Sequence, residues 1–392
     1  MTKKIGLITY HSAYNFGSVL QALATQLTIK KLGYSTEIVD YRPTEGDYFY
    51  KHLFFRHQPL KFFITDLPTA LVIPQRKLRQ RRFEEFISRH IELSAHEYKE
   101  PKDLDALRNA YSLMISGSDQ IINKHSNELI TVGWEYMDPY LLSWFDGPKI
   151  SYASSPASMT DEELERIVPA LKKFNELSAR EHDAAEKLSR LTGKPVDTVC
   201  DPTLLMDGTE WEQTVNIPAN RIDGNYILYY SLKRPRVVFK EILPQLKKLR
   251  DRTGCKIAII TPLAGFIPQT RGFVNCLDAG PAQFLSLIKH ARAIVTDSYH
   301  GTLFSINFHK PFWTVEPNAD DSRKTQILNR TGLQDHVVPS IDAIPEEFDA
   351  IEFGNAHEII ADYRKHSIEY LRNAIDDSLH SSNSSNSSNK EA

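Results

Sequence analysis

Residues 5–40 read IGLITYHSAYNFGSVLQALATQLTIKKLGYSTEIVD. The short apolar run Ile5–Thr9 ends in a polar loop, after which leucines recur at helical spacing. Gly33 is placed to end this helix, and Ser35–Asp40 has the length and composition of a strand. The order predicts a β–α–β unit, and such units build parallel sheets with helices on their faces.

A second series of predicted strands and helices fills residues 226–315. The chain therefore predicts two α/β domains, at 1–210 and 220–355. Helical spacing also predicts a C-terminal helix at 356–380. The tail 381–392 repeats Ser-Ser-Asn, a low-complexity composition for which we expect disorder.

Charge and composition narrow the class of protein. The 392 residues carry 47 Lys and Arg against 50 Asp and Glu, which is not the basic excess of a general nucleic-acid binder. The 3 cysteines have no zinc-site spacing, and their low count is typical of a reducing compartment. The longest apolar stretch, 257–267, is shorter than the ~20 residues that a membrane span needs. We therefore expect a cytoplasmic protein with no nucleic-acid partner.

One segment departs from this even charge distribution. We predict an insertion at about 45–90, whose first part is aromatic and whose second part is basic. Its basic residues are Arg76, Lys77, Arg79, Arg81 and Arg82. The insertion has two interpretations. In the first, its aromatic residues pack against the protein and its basic helix is solvated; in the second, it forms a surface that contacts anionic lipid headgroups. The second interpretation would place the protein at the inner face of the cytoplasmic membrane.

Polar clusters follow several predicted strands, at the edge of an open α/β sheet where ligands bind. Residues 15–18 begin the first helix, where free N–H groups attract anions or a side chain serves as an ordinary cap. Residues 117–120 form a turn after a strand, and residues 178–181 contain an Arg–Glu pair of the kind often found on surfaces. The cluster 296–302 lies between a strand and a helix.

His300 is the candidate for chemistry in this last cluster. It stands at the start of a helix predicted at 302–308, and Asp297 precedes it by three residues. A histidine so placed suits a general acid, and a satisfied loop histidine is the alternative. The chain contains neither GxSxG nor HExxH, which argues against a standard hydrolase. Reasoning from the residues alone thus ends at a two-domain α/β protein with an anion-binding cleft.

Six pieces of the sequence carry a family resemblance. They are ITYHSAYNFGSVLQAL at 8–23, ISGSDQIIN at 115–123, KISYASSPA at 149–157, LSARE at 177–181, CDPTLL at 200–205 and TDSYHGTLFSINFHKPF at 296–312. In their order and spacing they resemble the polysaccharide pyruvyl transferase family. The resemblance implies an α/β fold with two Rossmann-like domains facing a cleft, similar to GT-B glycosyltransferases.

The resemblance also implies a reaction. Such an enzyme moves the carboxyvinyl unit of phosphoenolpyruvate onto two hydroxyls of a sugar, often galactose on a lipid diphosphate, in bacterial surface polysaccharide synthesis. Phosphoenolpyruvate is then the co-substrate, and neither a metal nor another cofactor is implied. The enol ether needs a proton donor with a pKa near the working pH, and its anionic groups need cations and N–H donors.

Residue roles are carried over from the matching motifs. His300 matches the family histidine and is assigned as the general acid, and Asp119 as the base for a sugar hydroxyl. The residues assigned to phosphoenolpyruvate are Arg180, Ser298, Gly301, Thr302, Arg323 and Lys324. Those assigned to the acceptor or the cleft floor are Asn15, Gly17, Ser18, Ser118 and Gln120.

The sequence departs from the family at one position. Several members have Arg-x-His at the catalytic histidine, and here Ser298 replaces the arginine. Arg323, Lys324 or the N–H groups of Gly301 and Thr302 are the candidate replacements, and a different donor or acceptor is the other explanation. Two other functions stay open, which are a nucleotide-sugar glycosyltransferase of the same fold and a non-catalytic member of a polysaccharide-assembly complex.

Overall fold

The computed structural model of the chain describes residues 4–43, 72–233, 237–261, 272–316, 322–348 and 352–388. The aromatic part of the predicted insertion lies outside these ranges. No described helix is long and apolar enough to cross a membrane.

A first sheet of five parallel strands forms in the N-terminal half. Its strands are β1 (Ile5–Ile8), β2 (Thr36–Tyr41), β3 (Leu93–Tyr98), β4 (Leu113–Ser116) and β5 (Lys149–Ser151), in the order β3-β2-β1-β4-β5. Helix α1 (Phe16–Lys31) connects β1 to β2, as residues 5–40 predict, and α2 (Ile73–His90) precedes β3. Strands β1, β4 and β5 are buried along their whole length, as expected for a parallel sheet covered on both faces.

Shorter elements follow the first sheet. A two-stranded parallel sheet pairs β6 (Ser178–Ala179) with β7 (Asp197–Thr198). The helices of this region are α3 (Asp161–Glu165), α4 (Val168–Leu171), α5 (His182–Thr192) and α6 (Gly208–Val215). Helices α3 and α4 are separate, and the second begins with Val168-Pro169, because proline cannot continue the hydrogen bonding of the first.

A second parallel sheet of six strands forms in the C-terminal half. Its strands are β8 (Tyr226–Tyr230), β9 (Lys256–Ile260), β10 (Phe273–Asn275), β11 (Ala293–Thr296), β12 (Phe312–Val315) and β13 (Val337–Val338), in the order β10-β9-β8-β11-β12-β13. Its helices are α7 (Leu243–Thr253, after a π-helical turn at Val238–Ile242), α8 (Pro281–His290), α9 (Tyr299–Asn307) and α10 (Ser322–Thr331). The last helix of the chain is α11 (Ala356–Ser388).

The two large sheets share one topology. Counted from its own first strand, the first sheet has the order 3-2-1-4-5 and the second the order 3-2-1-4-5-6, which is the Rossmann arrangement. In each sheet the order reverses between its first and fourth strands, and a crevice opens there at the carboxyl ends. The ends of β1, β4, β8 and β11 are therefore the expected binding edges.

Aromatic and ionic contacts join the two sheets. Phe16 of α1 stacks on Phe284 of α8, with ring centroids 4.5 Å apart and an interplanar angle of 6°. Arg82 of α2 pairs with Asp278, which precedes α8, at 2.6 Å.

The basic run on α2 is only partly a solvated face. Arg79 is buried, donates to the carbonyl of Tyr14 at 2.8 Å and lies over the ring of Phe16. Arg82 is engaged with Asp278, whereas Lys77 and Arg81 are exposed. The periodicity of the helix decides this, because Arg79 shares the buried stripe of Phe83 and Phe86.

The C-terminal helix packs back onto the first sheet. The hydroxyl of Ser367 accepts a hydrogen bond from the N–H of Cys200 at 2.8 Å, and Tyr370 donates to the carbonyl of Ser151 at 3.3 Å. The helix continues to Ser388, beyond the predicted end at 380 and into the tail for which we expected disorder. Extending an existing helix is much easier than nucleating one, which lets weak helix formers such as Ser and Asn follow the packed turns.

Candidate functional site

The carboxyl ends of β1, β4, β8 and β11 face a cavity of about 160 Å³. It brings together eight of the predicted site residues: Asn15, Ser18, Asp119, Gln120, Arg180, Ser298, His300 and Arg323. Seven further residues line it that were not predicted as site residues: His125, Ser126, Asn127, Glu128, Leu232, Asp297 and Tyr299. The first residues of α1 and α9 both line the cavity, so the positive ends of two helix dipoles meet there.

His300 lies in the first turn of α9, which begins earlier than the predicted 302 because Ser298 caps it. The hydroxyl of Ser298 accepts a hydrogen bond from the N–H of Gly301 at 3.3 Å. The imidazole of His300 is buried, and its Nε2 has no hydrogen-bond partner among the described residues. Nε2 lies 3.5 Å from Oδ2 of Asp201. This carboxylate is placed to stabilise a protonated imidazole.

Asp201 is fully buried and held from both sides. Its Oδ1 accepts hydrogen bonds from the N–H and the hydroxyl of Thr203, at 2.9 and 2.7 Å, and its Oδ2 accepts one from Arg180 at 2.9 Å. Burial alone would raise the pKa of Asp201, but the charges of His300 and Arg180 and the Thr203 N–H hold it well below its usual range. Asp201 is therefore a carboxylate at any pH at which the protein works.

Sequence reasoning gave no role to Asp201. It is part of the quoted motif CDPTLL, and locally it caps the short 3-10 turn Pro202–Leu204. An Asp-Pro-Thr sequence is typical of such a turn, so its pattern carried only a structural signal. Its proximity to His300 comes from tertiary packing.

Arg180 is fixed by the carboxylates around it. Besides Asp201, its guanidinium donates to Glu181 at 3.0 Å and approaches Asp119 at 3.7 Å. It also lies over the ring of Tyr299, 4.7 Å from the centroid. Burial opposes the charge of Arg180, yet the carboxylates, Glu181 first, raise its pKa above the usual range. Arg180 is thus a permanent cation whose position is set before any ligand binds.

Two carboxyl groups, those of Asp119 and Glu128, also line the cavity. Asp119 has a φ of 78°, an uncommon conformation for a residue other than glycine, and accepts hydrogen bonds from Ser18 at 2.7 Å and the Gln120 N–H at 2.9 Å. Burial, with a contribution from the charge of Asp119, raises the pKa of Glu128 to about 8. At neutral pH the carboxyl group of Glu128 therefore favours its protonated form.

Asp297 is not the partner of His300. Its carboxylate accepts from the hydroxyl of Ser231 and from the N–H of Leu232, the latter at 2.9 Å. Burial raises its pKa, against these hydrogen bonds. The Ser298 cap ends β11 and starts α9, which turns Asp297 towards the end of β8 and leaves His300 to face Asp201.

Several predicted binding residues have structural roles instead. The N–H groups of Gly301 and Thr302 donate to the hydroxyl and carbonyl of Ser298, so neither is open to a ligand. Lys324 donates to the Asp297 carbonyl at 3.1 Å and pairs with Glu316. Ser118 donates to the carbonyl of Ala153 at 3.0 Å.

Of the candidate replacements for the family arginine, the cavity lining thus retains Arg323. Its guanidinium lies 6.0 Å from the ring centroid of Tyr299. Among the described residues, no group of three or more His, Cys, Asp or Glu is arranged to hold a metal ion.

A family model described as polysaccharide pyruvyl transferase matches residues 15–318. No curated protein matches the chain in sequence. Among solved structures, the UDP-GlcNAc 2-epimerase of Methanocaldococcus jannaschii has 12% identity and a TM-score of 0.52, covering 94% of this chain and 99% of that one. A structure of S. aureus MnaA with UDP has 11% identity and a TM-score of 0.50, covering 86% of this chain and 84% of that one. At such low identity these similarities show a shared fold, the GT-B type that the sequence predicted.

Proposed function

The chain belongs to the polysaccharide pyruvyl transferase family, and from this premise we propose that it transfers the carboxyvinyl unit of phosphoenolpyruvate to two hydroxyls of a sugar. The acceptor we propose is galactose on a lipid-diphosphate carrier, in bacterial surface polysaccharide synthesis. The observation that carries the proposal is the buried imidazole of His300, which lines the cavity; its Nε2 lies 3.5 Å from Asp201 and has no hydrogen-bond partner among the described residues.

The cavity suits a small anionic donor. At about 160 Å³ it has room for a three-carbon phosphate ester. Arg323 and the N-termini of α1 and α9 supply positive charge for its phosphate and carboxylate. Arg180 also lines the cavity, and the carboxylates that hold it keep its position fixed.

The chemistry divides between His300 and the carboxyl groups. Protonated His300 donates its proton to the methylene carbon of phosphoenolpyruvate, which becomes a methyl group and leaves a cation at C2. A sugar hydroxyl attacks C2 and loses its proton to Asp119. The C2–O bond to phosphate then breaks, and a second hydroxyl closes the ketal and releases its proton. One of the two protons restores His300 and the other leaves with inorganic phosphate, so the products are ketal and phosphate.

Asp201 is a positioning residue in this scheme. Its negative charge favours the imidazolium that begins the cycle. Its hydrogen bond to Arg180 fixes the position of the carboxylate and of the guanidinium. The neutral carboxyl of Glu128 can donate a hydrogen bond to a sugar oxygen while Asp119 accepts one. A diol needs both kinds of partner, because its oxygens accept as well as donate.

Transfer is tested by incubating the protein with phosphoenolpyruvate and a panel of lipid-diphosphate-linked hexoses, beginning with galactose. The proposal expects phosphate release that depends on both substrates, and a product heavier by one carboxyethylidene unit. No phosphate release with any hexose of the panel would contradict it.

A nucleotide-sugar glycosyltransferase is the second candidate, since the fold is shared with a protein whose structure contains UDP. Calorimetry separates the two. Saturable binding of UDP or GDP sugars, without binding of phosphoenolpyruvate, would favour this candidate, and the reverse result would reject it.

We also propose a location at the inner face of the cytoplasmic membrane, where a lipid-linked acceptor is found. The support is the exposed part of the basic helix α2, with Lys77 and Arg81. Binding to anionic vesicles tests it, as described below.

A further inference from the structure

A second cavity, of about 380 Å³, adjoins the first. The two share a wall made of Arg180, Tyr299 and Arg323. Asp201, whose carboxylate lies behind His300, also lines the second cavity. A ligand there would start next to the reacting groups and extend away from them.

One face of α10 forms a long side of this cavity. Arg323, Gln326, Ile327 and Arg330 all line it, and their spacing of three, four and seven residues places them on one helical stripe. At 1.5 Å of rise per residue, the two arginines are separated by about 10 Å along the helix axis. Arg323 therefore stands at the end shared with the first cavity, and Arg330 at the far end.

At the far end of this cavity, the side chain of Arg330 is held by an aromatic ring. The guanidinium of Arg330 lies 4.2 Å from the ring centroid of Tyr363 on α11, and Tyr363 is buried. Stacking on an aromatic ring orients a guanidinium while leaving its N–H donors at the edge. Such a planar group is suited to grip a phosphate.

The second cavity has a larger excess of positive charge than the first. Three carboxyl groups, Asp119, Glu128 and Asp297, line the first cavity together with Arg180 and Arg323. The second has the same two arginines and Arg330, against the single carboxylate of Asp201. The first cavity therefore suits sugar hydroxyls beside the small donor, whereas the excess of cations in the second suits a more highly charged diphosphate.

We propose that the second cavity binds the diphosphate of the sugar acceptor, with Arg330 as its anchor. This assignment rests on the proposed transferase function. If the hydroxyls of a hexose contact Asp119 and Glu128, the phosphate on its anomeric carbon would lie along α10 towards Arg330. The same diphosphate chemistry occurs in a lipid-linked sugar and in a nucleotide sugar, and the test distinguishes them.

The first measurement is calorimetric binding of inorganic pyrophosphate to the whole protein. Wild type should bind it, and Arg330→Gln should weaken binding by about tenfold or more, because a charge-assisted contact is lost. Arg330→Lys should retain part of the affinity. Arg89→Gln, which changes an exposed arginine outside both cavities, is the matched control and should bind as wild type. Equal binding by wild type and Arg330→Gln, or no binding by wild type, overturns the proposal.

Two further binding measurements show whether the diphosphate belongs to a lipid or to a nucleotide, and whether the cavity binds the acceptor or the donor. Tighter Arg330-dependent binding of farnesyl diphosphate than of UDP supports a lipid-linked acceptor, and the reverse order supports a nucleotide-linked one. If Arg330→Gln weakens phosphoenolpyruvate as much as pyrophosphate, the cavity takes the donor and the assignment is wrong. Because pyrophosphate binding requires no turnover, Arg330-dependent binding without pyruvyl transfer would reject the proposed function alone.

Discussion

Gly17 lies directly against the imidazole of His300: a β-carbon on Gly17 would stand 2.1 Å from its Nδ1. The first residues of α1 and α9 can meet only because this side chain is absent. Gly17→Ala should therefore displace His300 and lower kcat by about a hundredfold, the scale of losing general acid catalysis. Alanine has a higher helix propensity than glycine, which offsets part of the cost of the clash. The free energy of unfolding should therefore fall much less than for a clash of the same size elsewhere in the core.

The measurement for Gly17→Ala is kcat alongside thermal unfolding. Ser18→Ala, one residue further along α1, is the comparison, since it removes a hydrogen bond to Asp119 and adds no atoms near His300. Wild-type turnover in a folded Gly17→Ala protein would show that the placement of His300 is not critical.

Asp201→Asn should lower kcat. The neutral amide no longer places a negative charge 3.5 Å from Nε2 of His300, and it weakens the contact that holds Arg180. We expect kcat to drop about tenfold. The lowered pKa of Asp201 keeps it charged in wild type.

Asp197→Asn, at an exposed strand residue, is the control for Asp201→Asn and should keep the wild-type kcat. Thermal unfolding is measured alongside kcat. A loss of stability in Asp201→Asn, with wild-type kcat for the protein that stays folded, would mean that Asp201 supports the fold and not the proton donor.

Glu128→Gln should change how stability depends on pH. The pKa of Glu128 is about 8 in the folded protein against an ordinary value of 4.5, so between these two values the folded state keeps a proton that the unfolded state has released. The free energy of unfolding of wild type therefore falls as pH rises through this window. The variant should lose this part of the slope, measured by urea unfolding from pH 5 to 9.

Glu165→Gln, at an exposed position on α3, is the control and should keep the wild-type slope. The same slope in Glu128→Gln and wild type would show that Glu128 titrates near its ordinary value.

The basic helix α2 should separate into structural and surface residues. Arg79→Gln removes a buried cation with a hydrogen bond and an aromatic contact, and should lower the free energy of unfolding by about 2 kcal/mol. The double variant Lys77→Gln with Arg81→Gln should keep wild-type stability and lose co-sedimentation with anionic vesicles. Unchanged vesicle binding by the double variant would reject the membrane contact.

The apolar periodicity predicted most of the strands and helices that position the site. It missed β3, whose sequence LSAHEY is polar and mostly not buried, and the short strands β6, β10 and β13, which have two or three residues each. It also missed α10, which carries Arg323. The convergence of the polar clusters was predictable, because the carboxyl ends of parallel strands share one edge.

The partner of His300 was not predictable from local spacing. Asp297, three residues earlier, was the nearest carboxyl group in sequence, but the cap at Ser298 turns it towards Ser231. Asp201 reaches His300 only through the packing of the two sheets. The same packing places Arg180 among several carboxylates. The sequence around Arg180 shows only the adjacent Glu181 and could not indicate the others.

The most direct test of the central claim is the reaction run in D2O with phosphoenolpyruvate and a lipid-diphosphate-linked galactose. Protonation of the methylene carbon through His300 predicts a ketal whose methyl group carries one deuterium, detected by NMR. His300→Gln, which keeps a polar side chain of similar size, should form product at least about a hundredfold more slowly. A ketal methyl group without deuterium, or wild-type turnover by His300→Gln, would contradict the account.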